Sequence, residues 1–322
     1  MTVEETAPAV SVVVPCLNEE ANLPALVEQL ASVLDARDRR WELVLVDDGS
    51  SDGTVPVMRH LSNADPRVRF LSLSRRFGKD AALLAGLRAA RGAVVVMMDA
   101  DLQHPPELVP VLLDTLEAEG VDQVVAVRSR TGETAARRWA SRAFHGTVTR
   151  RMEVDLPPGH GDFRAATRRV VDAVLTMPEA HRFTRGIFAW VGYEVAEIAY
   201  DDAPRAGGSS GWTVSALVGY GTDAVLSFSD RPLRFMIRIG WASVVLFGLY
   251  LAFVLVSVLA FGIETPGYVT IIASVFFFGG VQLVSIGLLG EYLGRIFIEV
   301  KRRPSFVVRE SSGPYDEQTR PR

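Results

Sequence analysis

Two aspartates separated by one residue, Asp99-Ala100-Asp101, close the apolar run Val94 to Met98. In extended chain, residues i and i+2 point to the same side, so both carboxylates face one spot. Two close carboxylates with no nearby cation repel each other, and a divalent metal relieves that repulsion. Mg2+ or Mn2+ suits the pair, because these ions prefer hard oxygen ligands and substrate phosphates. Gln103, two residues further on, offers a third oxygen. The same residues also read as a turn, with Pro105 and Pro106 starting a helix. Asp47-Asp48-Gly49-Ser50-Ser51-Asp52-Gly53-Thr54 closes a second apolar run. A carboxylate there can accept hydrogen bonds from a base or a ribose, while Asp52-Gly53-Thr54 also reads as a turn and helix cap. Arg76-Phe77-Gly78-Lys79 precedes a helical stretch. Lys79 there either adds a cation to the anion-attracting helix amides or is simply solvated. Gly161-Asp162-Phe163-Arg164 follows a Pro-Pro-Gly turn; its acid beside an arginine reads as a base or, better, as an ion-pair partner.

These residues need a frame. Five short apolar runs, Val10 to Val14, Leu43 to Val46, Phe70 to Leu73, Val94 to Met98 and Val124 to Val127, read as strands buried on both faces. Helical stretches of about Glu19 to Leu34, Thr54 to Leu61, Lys79 to Ala90 and Pro106 to Ala118 lie between them. Alternation of this kind predicts an open α/β, mostly parallel sheet with right-handed crossovers. Ligands bind beyond the carboxyl ends of such strands, where Asn18, Asp47, Asp48, Asp99, Asp101 and Arg128 stand. Thr131 to Ala206 is mixed in pattern and includes a basic stretch from Arg137 to Arg151.

Composition narrows the classes. Of 322 residues, 48% are hydrophobic and 22% charged, which fits a folded chain of two units. A formal charge of −4 argues against a nucleic-acid partner. One cysteine, Cys16, excludes a disulfide framework within the chain and a cysteine-rich zinc site. No Gly-x-Gly-x-x-Gly follows the first strand and no phosphate-binding loop ending in Gly-Lys-Ser/Thr occurs, which disfavours a dinucleotide dehydrogenase and a P-loop enzyme. His104, His145, His160 and His181 show no metal-ligand spacing and read as surface or loop residues.

Ile239 to Ile263 and Pro266 to Gly290 carry no charge. Each exceeds the roughly 20 residues a helix needs to cross a bilayer, and the Glu264-Thr265 link makes them a hairpin. Arg231, Arg234 and Arg238 precede the first run, and Arg295, Lys301, Arg302 and Arg303 follow the second. The positive-inside rule places both flanks in the cytoplasm. Met1 to Ala9 lacks the features of a signal peptide, so the expectation is a multi-pass protein of the cell (cytoplasmic) membrane with its α/β domain facing the cytoplasm. Val214 to Ser229 reads as an amphipathic helix in the interface. The expected division is a disordered N-terminus (1–9), the α/β domain (10–212), an interfacial segment (213–238), two transmembrane helices (239–290) and a cytoplasmic C-terminal tail (291–322), polar and disordered from Glu310 onward.

Together these pieces resemble family 2 glycosyltransferases of GT-A fold, in the polyprenyl-phosphate branch that includes bactoprenol glucosyltransferases and dolichol-phosphate mannose synthases. The carrying segments are Val12-Val13-Val14-Pro15-Cys16-Leu17-Asn18-Glu19-Glu20, Val46-Asp47-Asp48-Gly49-Ser50, Phe77-Gly78-Lys79, Asp99-Ala100-Asp101-Leu102-Gln103, Gly161-Asp162-Phe163-Arg164, Arg182-Phe183-Thr184-Arg185-Gly186 and Gly294 to Lys301. The resemblance implies a nucleotide-diphosphate sugar donor of UDP-glucose or GDP-mannose type, a polyprenyl phosphate acceptor such as undecaprenyl phosphate, an inverting hexose transfer and self-association into a homo-oligomer. It implies a donor site of Pro15, Leu17, Glu19, Asp48, Lys79, Asp99, Ala100 and Asp101, with phosphate contacts from Arg128, Arg142, Arg164 and Arg205. The metal falls to Asp99, Asp101 and Gln103, and the catalytic roles to Asp101 and acceptor-side Asp162. One departure stands out. Relatives often read Arg-x-x-Gly-Glu-Ser-Lys-Tyr where this chain reads Arg205-Ala206-Gly207-Gly208-Ser209-Ser210-Gly211-Trp212, so a cation is missing at Gly211. The alternatives are a glycosyltransferase acting on a hydroxyl lipid or glycan acceptor, and a non-catalytic sugar-nucleotide-binding membrane protein.

Overall fold

The computed structural model describes residues 8–37, 39–128, 157, 159–177, 179, 182–200, 231–261 and 267–313. Strands β1 (Val10–Cys16), β2 (Trp41–Asp47), β3 (Val68–Leu73) and β4 (Val94–Met97) alternate with helices α1 (Leu23–Asp35), α2 (Thr54–Ala64) and α3 (Lys79–Ala89). Then come α4 (Leu108–Glu119), β5 (Gln123–Arg128), β6 (His160–Thr167), α5 (Arg168–Leu175), α6 (Thr184–Trp190) and β7 (Val195–Tyr200). Two long helices, α7 (Arg231–Phe261) and α8 (Tyr268–Val300), precede a last strand, β8 (Val308–Ser311).

One sheet of order β7-β5-β6-β4-β1-β2-β3-β8 organises the domain. Strands β4, β1, β2 and β3 run parallel, whereas β6 runs antiparallel to both β4 and β5, and β8 antiparallel to β3. Alternation along the strands splits the core into two layers. Val12, Val14, Leu43 and Leu45 face α1, α2 and α4. Val13, Val44 and Val46 face α3, α5 and α6. Apolar residues at both parities are therefore what a sheet covered on both sides requires.

From β1 the chain steps through β2 to β3 on one side, then returns to place β4 on the other. That reversal is the topological switch point, where adjacent loops diverge and leave a crevice. Helix α3 covers the crossing closely because Gly86 lies against Val13 and Val46. A Cβ at that position would overlap Val13 Cγ1. Gly86→Ala is expected to cost about 1–3 kcal/mol by overpacking, read as a drop in thermal midpoint with the spectrum of the folded protein unchanged.

The sequence pattern predicts all five of the strands β1 to β5 to within two residues, but it does not announce β6, β7 or β8. Gly161-Asp162-Phe163-Arg164, expected as a compact polar element, lies in the middle of the sheet, with Phe163, Ala165 and Ala166 fully buried. The C-terminal segment also departs from expectation. Val308–Ser311 pairs with Leu71–Leu73, Arg59 grips Glu310 bidentately at 2.9–3.0 Å, and Phe70 donates its N–H to Ser312 Oγ at 2.9 Å. Residues 308–313 are therefore ordered sheet edge, and 291–300 belong to the last turns of α8. Both Phe235–Val254 and Phe277–Val300 are long and apolar enough to cross a membrane. Nearly all of both faces outward, unlike the buried core helix of a water-soluble domain. The interfacial segment 213–230 and the basic stretch 137–151 lie outside the described residues.

Candidate active site

The carboxyl ends of β4, β1 and β2 meet at a cavity of about 250 Å3. Pro15, Cys16, Leu17 and Glu19 line it from β1, Asp48 from β2, and Asp99, Ala100 and Asp101 from β4, with Arg76 and Lys79 closing it. Every expected donor-site residue from Pro15 to Asp101 is thus brought to one place. Four acids, Glu19, Asp48, Asp99 and Asp101, face two bases, Arg76 and Lys79, an excess of two negative charges. Burial raises the Glu19 carboxyl, as do Asp101 and Asp99, against the opposing hydrogen bond from Asn22.

The turns that carry these acids lock one another. Asn18 adopts φ 57°, donates its N–H to Ser50 Oγ at 2.9 Å, and accepts the Ser51 N–H at 2.9 Å. Gly49, at φ 74°, passes so close to the next loop that a Cβ would sit 2.5 Å from the backbone of Arg75 and Arg76, a position only glycine tolerates. Asp48 accepts the N–H groups of Phe77 at 2.7 Å and Gly78 at 2.9 Å, which fixes the loop leading to Lys79. Burial nevertheless raises the Asp48 carboxyl, with those two N–H groups opposing. Asp52 caps the turn as expected, accepting the Thr54 N–H at 3.1 Å.

Lys79 begins α3, yet its ammonium lies in a carboxylate clamp, 2.5 Å from Asp99 Oδ1 and 2.7 Å from Asp162 Oδ2. The pairing of β4 with β6 explains this. Met97 stands opposite Arg164, and continuing that register sets Asp162 level with Asp99. Arg185, from α6, completes the clamp by donating Nε to Asp162 Oδ1 at 2.8 Å and Nη2 to Oδ2 at 2.9 Å. Burial alone would raise Asp162, but Arg185 and Lys79 hold its carboxyl well below the usual carboxylate range. The ion pair expected for Asp162 thus exists, with Arg185 as partner and not the adjacent Arg164.

Arg164 is 3% exposed, donates to Gly161 O at 2.8 Å and stacks over Phe188 at 4.8 Å. Burial lowers it to about 10. It is not among the residues that line the cavity. Arg128 ends β5 opposite Tyr200, exposed and away from the cavity lining. Arg142 and Arg205 lie outside the described residues, as does the segment around Gly211.

His104 lies in the loop between β4 and α4, one of the two places expected for it, and is there partly buried against Asp99. Its Nδ1 accepts the Asp99 N–H at 2.9 Å, and its ring stacks on Phe163 at 4.7 Å and meets Tyr200 edge-on. Burial lowers its pKa, which leaves a neutral imidazole whose proton sits on Nε2. The signal in sequence was its position, five residues after Asp99 in a turn that ends against a buried strand.

Asp99 and Asp101 fit a divalent cation on charge and donor type. Among the described residues no group of three or more His, Cys, Asp or Glu side chains stands at ligating spacing. Water and substrate oxygens would then complete the sphere, which is the habit of Mg2+ and Mn2+. Gln103 donates its backbone N–H to Asp101 Oδ1 at 3.1 Å, after Leu102 at φ 59°; its side chain is not among the cavity-lining groups.

Comparison with known proteins agrees with this geometry. The SfII prophage-derived bactoprenol glucosyl transferase of Shigella flexneri is 37% identical over 94% of this chain and 98% of its own. The bactoprenol glucosyl transferase of Shigella phage SfV is 36% identical over 93% of this chain and 98% of its own. A Bacillus subtilis (strain 168) protein with a provisional glycosyltransferase name, CsbB, is 39% identical over 95% of this chain and 92% of its own. Residues 11–175, from the start of β1 to the end of α5, match the family Glycosyl transferase family 2. The fold, the acidic switch-point cavity and this match identify the chain as a member of glycosyl transferase family 2.

Proposed function

We propose that this enzyme is an inverting glycosyltransferase that moves a hexose from a nucleotide-diphosphate sugar to a polyprenyl phosphate at the cytoplasmic face of the membrane. The cavity carries the reading, because four carboxylates and two bases at the topological switch point suit a diphosphate that arrives with a divalent cation. Asp99 and Asp101 would hold Mg2+ or Mn2+, which when bound supplies positive charge to a departing nucleoside diphosphate. Lys79 and Arg76 stand at the same cavity as fixed cations for the charge that develops on the leaving group. Glu19 and Asp48 offer acceptors to the nucleotide from the turns after β1 and β2.

Asp162 separates a phosphate acceptor from an alcohol. Held ionised by Arg185 and Lys79, its carboxyl has little affinity for a proton. An alcohol acceptor needs a base in the transition state. A phosphate monoester has a second pKa near ~6 and is already largely dianionic at neutral pH, so it needs orientation more than deprotonation. Asp162 supplies this by fixing Arg185 and Lys79. The exposed apolar helices α7 and α8 suit an acceptor whose isoprenoid stays in the bilayer.

The test incubates membranes bearing the protein with labelled UDP-glucose, GDP-mannose and related donors, each with undecaprenyl phosphate or undecaprenol, with and without Mg2+ or Mn2+. Label is expected on the phosphate in the presence of metal and not on the alcohol. Equal labelling of undecaprenol would rule out the phosphate reading, and absence of transfer from every donor would rule out the enzyme.

A further inference from the structure

We propose that β8, the strand that follows the second apolar helix, positions the donor site through Arg309, an inference that rests on the donor-site reading above. Asp47, at the end of β2, is fully buried. Its Oδ1 accepts the Ser50 N–H at 2.9 Å, and its Oδ2 accepts the Ser72 hydroxyl at 2.7 Å. Two neutral donors are little compensation for a carboxylate taken out of water. Arg309 supplies the charge. Its Nη2 donates to Ser72 Oγ at 2.9 Å and lies 4.0 Å from Asp47 Oδ2. A continuous polar line therefore runs from β8 across β3 to Asp47 and on to the backbone of Ser50.

That line ends in the donor-binding turn. Ser50 is the residue whose hydroxyl receives the Asn18 N–H, and Asp48, next to Asp47, lines the cavity and holds the Phe77-Gly78 backbone. Fixing Asp47 from behind sets both turns that shape the nucleotide end of the cavity. Without Arg309 the buried carboxylate loses its cation, and rotation of Asp47 would release Ser50 first.

Arg59 provides a control on the same strand. It holds β8 by a bidentate pair with Glu310 at 2.9–3.0 Å but makes no contact with Asp47 or Ser72. A general loosening of β8 would follow from losing either arginine. A positioning role would follow only from losing Arg309.

The experiment uses the full chain in lipid nanodiscs. The Kd for UDP-glucose and for GDP-mannose with Mn2+ is measured by calorimetry, and transfer kinetics are measured beside it. For the donor that binds, Arg309→Ala is expected to raise Kd and donor KM about tenfold, a factor worth ~1.4 kcal/mol. The kcat and acceptor KM should stay within about twofold, the spread normal for uncoupled sites. Arg309→Lys should recover part of the loss, and Arg59→Ala should leave Kd within the same margin. The inference falls if Arg309→Ala binds donor like the native protein, or if Arg59→Ala weakens binding equally. Native protein that binds neither donor overturns the donor-site reading and this inference together.

Discussion

Asp101→Asn is expected to lower kcat for sugar transfer about 10²–10³-fold, the range seen when one preorganised stabiliser of developing charge is removed. Asp101 is the better probe of the acidic pair because Asp99 already shares its charge with Lys79 at 2.5 Å. The substitution reduces the excess negative charge of the cavity from two to one and keeps the side chain's size. The metal concentration for half-maximal activity should therefore rise at least about tenfold, since a carboxylate ligand is exchanged for a neutral oxygen. Chelation of the native enzyme should abolish transfer, and added Mn2+ or Mg2+ should restore it. Transfer that survives both chelation and Asp101→Asn would mean that the acidic pair serves only as the turn before α4.

Asp162→Asn should reduce kcat/KM about 10²-fold, and the ratio of native to variant should stay flat from about pH 6 to 9. Flatness follows from the clamp. Arg185 and Lys79 hold the Asp162 carboxyl well below the usual range, so it is ionised at every pH in that interval and cannot act as a titrating base. A loss that shrinks as pH rises would instead show that a base had been removed. The same clamp sets acid stability. A carboxylate whose folded pKa is depressed contributes stability above its unfolded value, about 3.9, and loses it as pH falls through the folded pKa. The native protein should therefore hold Asp162's contribution at neutral pH and begin to lose it below about pH 4. Arg185→Ala strands the buried carboxylate with Lys79 alone and should cost about 3–5 kcal/mol. Arg185→Lys should recover charge but not the two-pronged geometry. Thermal melts of the three variants across pH 4–8 would separate these effects.

The parallel strands and the acids at their ends were legible in sequence because they are local. Val12-Val13-Val14 and Leu43 to Val46 are unbroken β-branched or leucine-rich runs, and each ends in the polar residues that a switch-point cavity uses. β6 was hidden because Ala165 and Ala166 are small and Asp162 and Arg164 are charged. Their burial is stabilised by partners distant in sequence, Arg185 and Phe188. Arg185 stands in Arg182-Phe183-Thr184-Arg185-Gly186, where no local pattern joins it to Asp162, since only α6 brings it there. β8 is short and polar, with its pairing partners more than 230 residues away, as in the Arg309–Ser72 hydrogen bond. No periodicity within four residues can forecast that. The helices α7 and α8 were visible as uncharged runs, yet they continue through charged flanks, because Lys, Arg and Glu are good helix formers once a helix exists.

The seven residues between Val300 and Val308 have a mechanical consequence. Fully stretched, the eight virtual bonds joining those two residues span at most about 29 Å. Since β8 is woven into the sheet, that length is a leash. With α7 and α8 in a bilayer, the domain could tilt or rock over it but could not drift away from it. Its working radius would then be confined to one shallow layer of solvent beside the lipid headgroups.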